Sequence, residues 1–261
     1  MTGTPADFDA LRRAADSALA RPGCRWRRAL VLEACASTQD AALEACAGEP
    51  GLVVVAARQT SGRGRLGRAW HDESGLGLAL TCVLPAGTGA ISLASGVGVL
   101  RAVSSLGVPR IGIKWPNDAV ERDGLRRKLA GVLIEVNKGV ALLGVGLNVL
   151  QRGADWPGAL HGRAVSLREL GLGVTRAAAL VALLASLDDA LLSCESPEGL
   201  RSILAQWAAA DVLTGTEQEF EHNNTRVRGI VRSIDPLRAL VVATPSGDVS
   251  LPASSTSLVK Q

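Results

Sequence analysis

Apolar residues change their spacing several times along the chain, and each change suggests an element. An amphipathic pattern in MTGTPADFDALRRAADSALA predicts a short first helix. RALVLEA (28–34) then reads as a strand, and Ser37-Thr38-Gln39-Asp40 can cap a helix running through AALEACA. GLVVVAARQ (51–59) is a β-branched run of the buried-strand kind, and LGLALTCVLP a second such run. Between them lies RQTSGRGRLGRAW, which has no apolar period at all. ISLASGVGVLRAVSSLG suits a helix packed closely on a sheet, because its residues are small. IGIKW, RKLAGVLIEV and GVALLGVGLNV follow as three strands, the last two joined by the hairpin signal Asn137-Lys138-Gly139. Helices are expected over 175–194 and 200–211, and beyond Thr214 only short strands separated by turns such as Asp235-Pro236 and Ser246-Gly247.

Strands joined by hairpins, with helices in clusters, predict an α+β fold: a mixed, largely antiparallel sheet flanked by helices. The change of pattern divides the chain at 212/213, with a small C-terminal β-barrel over 213–261 that would be marginal alone and should pack on the first unit.

Composition narrows the function classes. Net charge is only +3 in 261 residues, so the molecule is not a polyelectrolyte for coating nucleic acid. Positive charge is instead local, at RQTSGRGRLGRAW and at Arg21–Arg28. Five scattered cysteines without CxxC spacing argue against a disulfide framework or structural zinc, and point to a reducing, cytoplasmic setting. No apolar run reaches the roughly 18 residues of a membrane helix, and the first residues lack a signal peptide's apolar centre.

The stretch at 58–70 holds four arginines and three glycines and no carboxylate. Gly62-x-Gly64-x-x-Gly67 formally matches the dinucleotide fingerprint, but glycines break any following helix and no acidic residue stands about 20 positions on. A Walker sequence is absent too. What remains is a flexible anion-binding loop, expected to be mobile alone and ordered around a polyanion such as triphosphate. A solvated basic hairpin or an RG-type nucleic-acid contact is the rival reading of the loop by itself, and a steep salt dependence of binding would mark the latter.

Lys114-Trp115-Pro116-Asn117-Asp118 ends one strand at a proline-stiffened turn. Arg127-Lys128-Leu129-Ala130-Gly131 opens another with a lysine beside small residues, and Gly144-Val145-Gly146-Leu147-Asn148 ends a third. With Ser37-Thr38-Gln39 and the arginine loop, these five stretches, in this order, resemble the biotin protein ligases. The resemblance covers nearly the whole chain. It implies a catalytic domain like that of the class II aminoacyl-tRNA synthetases and an SH3-like C-terminal barrel. It also implies ATP and biotin as substrates, Mg²⁺, a biotinyl-AMP intermediate, and transfer to a lysine of a carboxylase's biotin carboxyl carrier domain.

The family's chemistry accounts for the residue types. Biotin's carboxylate and the α-phosphate of ATP are both anions, so their reaction needs charge cancelled in a site that excludes water. The resemblance gives that task to Arg63, Arg65 and Lys128, with Arg63, Gly64, Arg65, Lys128 and Gly131 also contacting biotin or the acyl phosphate. Ser37, Thr38, Gln39 and Gln59 suit the neutral ureido ring. Arg68, Trp70, Asn117 and Asn148 fall to the nucleotide, joined there by Arg63, Arg65 and Lys128. Asp118 either helps hold Mg²⁺ or deprotonates the acceptor amine. Residues 150–160, with Trp156, stand where the family covers the adenylate.

His71, His161 and His222 read as surface residues, and Cys35 as a small buried hydrophobe. Ser61 stands where the family more often has alanine. Only 36 residues precede Ser37, too few for a DNA-binding module, so no operator binding is expected. The family often pairs through its sheet edge, which leaves a homodimer open. Two alternatives share parts of this reading: a lipoate ligase of the same fold, which tends to carry a different glycine-rich stretch, and a biotin- or nucleotide-binding protein without turnover.

Overall fold

The computed structural model describes residues 5–72, 74–87, 90–108, 110–116 and 118–259. The first helix, α1, spans Pro5–Leu19. Strands β1 (Arg28–Leu32) and β2 (Leu52–Ala56) run parallel, which requires a crossover, and α2 (Thr38–Ala45) provides it. α2 begins earlier than its apolar pattern suggests, because Ser37 Oγ accepts the Gln39 amide at 3.3 Å and caps the first turn.

The arginine-rich stretch is a hairpin of β3 (Gln59–Arg63) and β4 (Ala69–Asp72) around a tight turn at 65–67. β5 (Gly77–Pro85), α3 (Ile91–Ser105) and β6 (Ile111–Lys114) match the expected elements. β7 (Asp118–Glu121) was not expected: four residues with two apolar positions are too short to show a period. β8 (Lys128–Asn137) and β9 (Val140–Asn148) are joined through Lys138 and Gly139, both at positive φ (48° and 79°), as a two-residue hairpin turn requires.

These strands make one seven-stranded sheet in the order β1-β2-β5-β9-β8-β7-β6, antiparallel except for β1–β2. The main core covers one face, under α1, α3 and α4 (Arg176–Ser193). α4 packs on α3 at Gly98, where even a Cβ would come within 3.0 Å of the Leu187 backbone. α2 covers only part of the other face, burying Ala42 and Cys46 on Leu52, Val54, Val83, Val140 and Leu142. The uncovered remainder of that face carries the cleft described below.

The basic segment at 21–28 has a structural task. Arg21 and Arg25 both reach the buried carboxylate of Asp188 on α4, at 2.7 and 2.8 Å. The fully buried Arg176 pairs with Asp7 at 2.6 Å and donates to the Ala57 carbonyl, tying α4 to α1 and to the end of β2.

α5 spans Pro197–Ala210, starting before the expected residue 200 because Ser196 caps it and Pro197 needs no amide partner. The C-terminal strands are β10 (Glu217–His222), β11 (Thr225–Ile234), β12 (Ala239–Thr244), β13 (Gly247–Pro252) and β14 (Thr256–Leu258). They form a five-stranded antiparallel sheet in the order β13-β12-β11-β10-β14. The expected barrel is therefore found as this open strand order, and β14, only three residues long, had no pattern to announce it. No helix among the described residues is long and apolar enough to cross a membrane.

Candidate active site

Side chains alternate along a strand, so Val140, Leu142, Gly144, Gly146 and Asn148 share one face of β9. The first two pack under α2. The two glycines then clear a floor, and a cleft of about 730 Å³ opens above it, within the size range of small-molecule sites.

Two cross-strand rows define this floor, since residues directly opposite each other share a face. One row runs Leu133, Gly144, Thr81 across β8, β9 and β5. Over it lies Gln39, whose Nε2 donates to the Leu133 carbonyl at 3.0 Å and would collide with any Cβ at Gly144, 2.5 Å away. Thr81 Oγ1 donates to Thr38 Oγ1 at 2.9 Å, and Gln59 Oε1 accepts the Thr38 amide at 2.7 Å. This end is walled by neutral amides and hydroxyls, with Gln39 Oε1 buried and without a partner among the described residues.

The second row runs Lys114, Asp118, Gly131, Gly146 across β6, β7, β8 and β9. Here the register is decisive. Val120 faces Lys128 while Ala119 faces Ala130, so one step along β7 is matched by two along β8. In an unbroken strand residues 128 and 131 would point to opposite faces. This bulge reverses the parity and turns Lys128 into the cleft, where Nζ lies 2.7 Å from Asp118 Oδ1 and 2.7 Å from the position a Cβ on Gly131 would take. Nζ also stands 5.5 Å from the centre of the Trp70 ring, which rests on Gly146. Lys114 lines the same cleft, and burial pushes its ammonium below the usual lysine value.

The arginine hairpin forms the roof. Repulsion among its arginines is offset by carboxylates from other elements: Arg63 pairs with Asp40 on α2 at 2.6 Å and with Glu135 on β8 at 3.3 Å. Arg65 donates to the Ala253 carbonyl of the C-terminal segment. The stretch is thus a braced hairpin, where the sequence suggested a free loop. Arg68 is exposed and has no side-chain partner among the described residues.

Asp72 anchors the far end of the hairpin. It is buried opposite Gln59, and its Oδ1 accepts the Gly77 amide at 2.9 Å, while Oδ2 has no partner among the described residues. Burial pushes its carboxyl up to about 7, opposed by the charge of Arg176. Between the unfolded value near 4 and about 7 the folded chain keeps a proton that the unfolded chain has released, so stability falls as pH rises through that window. At about 1.4 kcal/mol per unit the penalty above pH 7 is on the order of 4 kcal/mol. Asp72→Asn is therefore expected to raise Tm at pH 8 by several degrees and to change it little at pH 4. An equal shift at both pH values would contradict this account of Asp72.

Every described residue that the sequence assigned to biotin, nucleotide or metal lines this one cleft, including Ser37, Gly64, Gly131 and Asn148. Asn117 lies outside the described residues. Asn148 departs most from its expected role: its Nδ2 donates to the Lys128 and Val165 carbonyls, both at 3.1 Å, so its amide hydrogens tie β9 to β8 and to segment 163–165. His71 and His161 are exposed as expected, but both stand at the cleft; His222 is half-buried and reaches Thr256 Oγ1 at 3.1 Å, joining β10 to β14. Cys35 is only half-buried, where a buried side chain was expected, and desolvation still raises its thiol above the usual value. Trp156 is buried beside the cleft with Nε1 on Glu169.

Sequence reasoning passed over Lys114, Gly144 and Gly146, although all three sit in motifs it quoted. Two glycines spaced by two in a strand were the available signal for a cleared face. The contribution of Gln218, Ser257 and Leu258 from the C-terminal sheet had no local signal.

Comparison with known proteins places this geometry. A profile of the Biotin/lipoate A/B protein ligase family matches residues 34–151. A curated Biotin--[acetyl-CoA-carboxylase] ligase from Mycobacterium tuberculosis is 39% identical over 162 residues, 58% of each chain, so this chain spans somewhat under three-fifths of that relative. The protein of the same name from Paracoccus denitrificans is 33% identical over 233 residues, 84% of this chain and 95% of the other. Among solved structures, the biotin protein ligase from Aquifex aeolicus in complex with biotin and ATP has a TM-score of 0.79 at 25% identity, covering 90% of this chain and 100% of that one.

Proposed function

We propose that this chain, which belongs to the biotin protein ligases of the Biotin/lipoate A/B protein ligase family, activates biotin with ATP and transfers it to a lysine of a carboxylase's carrier domain. The observation that carries this reading is Lys128: a strand bulge aims a cation at the middle of a cleft with a neutral, amide-lined end on one side and arginines over the other.

Biotin would lie with its ureido ring at Thr38, Gln39 and Gln59, where the unpartnered Gln39 Oε1 can accept a ring N–H. Its carboxylate then reaches Lys128. The carboxylate oxygen attacks the α-phosphorus, the bond to pyrophosphate breaks, and biotinyl-AMP forms. Lys128, Arg63 and Arg65 would offset negative charge gathered there; leaving their protein partners for substrate is a local exchange of one anion for another. Arg68, Trp70 and Asn148 would bound the nucleotide, Asn148 chiefly by holding segment 163–165 in place. In the second step the carrier amine attacks the acyl carbon, AMP leaves, and Asp118 takes the amine's proton.

Mg²⁺ fits poorly as an ion resident on Asp118, which is one carboxylate already paired with Lys128. Among the described residues no three His, Cys, Asp or Glu side chains converge. We expect magnesium to arrive on the triphosphate. Residues 1–212 would be the catalytic unit and 213–261 the smaller one that closes the cleft's side.

The test is incubation of the chain with ATP, a carrier domain, and biotin or lipoate in parallel. Pyrophosphate release and a carrier mass gain of one biotinyl group, with biotin only, are expected; labelling with lipoate alone would replace the reading. Arg65→Ala is expected to loosen the roof, so that biotinyl-AMP escapes and labels unrelated proteins several-fold more than the parent does. Equal stray labelling by both would count against the hairpin as a cover.

A further inference from the structure

Among the described residues, two of the three most exposed large hydrophobic side chains stand at this one cleft: Leu125 at 77% and Leu66 at 57%. Single exposed leucines are ordinary. These two share a further property. Leu66 sits at the hairpin tip in the left-handed region, at φ 55° and ψ 40°. Leu125 lies between two positive-φ residues, Gly124 at 67° and Arg126 at 51°. A left-handed backbone costs a residue other than glycine roughly 1–2 kcal/mol, so such conformations persist where their surroundings impose them.

At Leu125 it is the flanking Gly124 and Arg126, not the leucine itself, that take this conformation. The turn's base is clamped by a bidentate pair, Arg127 on Glu121 at 2.7 Å for both contacts, and by the Glu121 amide on the Arg127 carbonyl. On its outer side Arg110 pairs with Asp123 at 2.6 Å, both side chains exposed. The turn is held at its base, yet its leucine is presented to solvent three residues before Lys128, at the cleft that Asp118 and Lys128 also line.

We infer that Leu66 on the hairpin and Leu125 on the β7–β8 turn are the two lips of a docking surface that grips the acceptor protein around its target lysine. The inference rests on the ligase reading above. The charged phosphates of a nucleotide gain nothing from exposed leucines, whereas a protein segment bringing its lysine to Asp118 enters the cleft that both leucines line. Charge specifies that segment further. Arg126, also at the cleft, has no hydrogen-bonded or ion-paired partner among the described residues, and Lys114, Arg68 and Lys128 add to the same positive field. A bare lysine would be repelled there, so the partner fits if it carries a carboxylate near its lysine and apolar residues on either side.

Leu125→Ser and Leu66→Ser, made singly in the full chain, test this. With biotin and ATP alone, pyrophosphate exchange is expected within about twofold of the parent. Discharge of the adenylate onto hydroxylamine, a nucleophile too small to touch the lips, should likewise be unchanged. Transfer to a carrier domain should fall about 10- to 100-fold in kcat/KM, chiefly through KM. Carrier transfer within twofold of the parent for both variants overturns the inference, as does a parallel loss with hydroxylamine. A parent dimer that Leu125→Ser dissociates would also overturn it, since the lips would then serve a second copy of this chain. A parent that makes no adenylate at all removes the ligase reading itself, a result separable from normal adenylation with undiminished transfer.

Discussion

Lys128→Ala is expected to lower biotin-dependent pyrophosphate exchange by about 10²–10³-fold, the usual loss when one preorganised charge is removed from a site where negative charge develops. The loss should fall on the rate more than on the affinity for ATP, because a cation at the meeting point of two anions gains most as they join. Stability should hold within about 1 kcal/mol: the Lys128–Asp118 pair is about one-third exposed, and such pairs contribute little. Far-ultraviolet circular dichroism and Tm separate a catalytic loss from unfolding. Exchange at the parental rate in a folded variant would remove Lys128 from the mechanism.

Gly146→Val is expected to be nearly as damaging for a different reason. A Cβ there would stand 2.3 Å from Trp70 Cε2, so the ring must leave the floor and take its end of the hairpin with it. Displacement of about 1 Å can cost 10²-fold in rate, and adenylate formation should fall by at least that much. Valine suits a strand interior, and the opposite face of β9 is untouched, so Tm should change by only a few degrees. Gly144→Ala meets the side-chain end of Gln39 instead, which can yield by rotating, and should cost less activity. Adenylation within threefold of the parent in Gly146→Val would show that the ring does not need its resting place.

Local information accounts for what could be read early. The β-branched run at 52–56, the cap at Ser37 and the Asn137-Lys138-Gly139 turn each carry their signal within a few residues, and each element formed where expected. β7 and β14 escaped notice because three or four residues cannot display a period. The bracing of the hairpin was equally hidden, since Asp40 and Glu135 lie 23 and 72 residues from Arg63.

By itself the sequence determined the residue types and their order: neutral polar groups in Ser37-Thr38-Gln39, clustered arginines with glycine between them, a lysine ahead of Leu129-Ala130-Gly131, and glycines alternating in β9. Those are enough to specify the chemistry, because hydrogen-bonding capacity and charge belong to each side chain wherever it goes. Only the tertiary structure decided which face each one occupies. A single unmatched residue opposite β7 exchanges inside for outside at Lys128, and the C-terminal strand completes a wall begun nearly two hundred positions earlier. Pairing across a sheet is a property of two distant segments at once, and neither segment contains it alone.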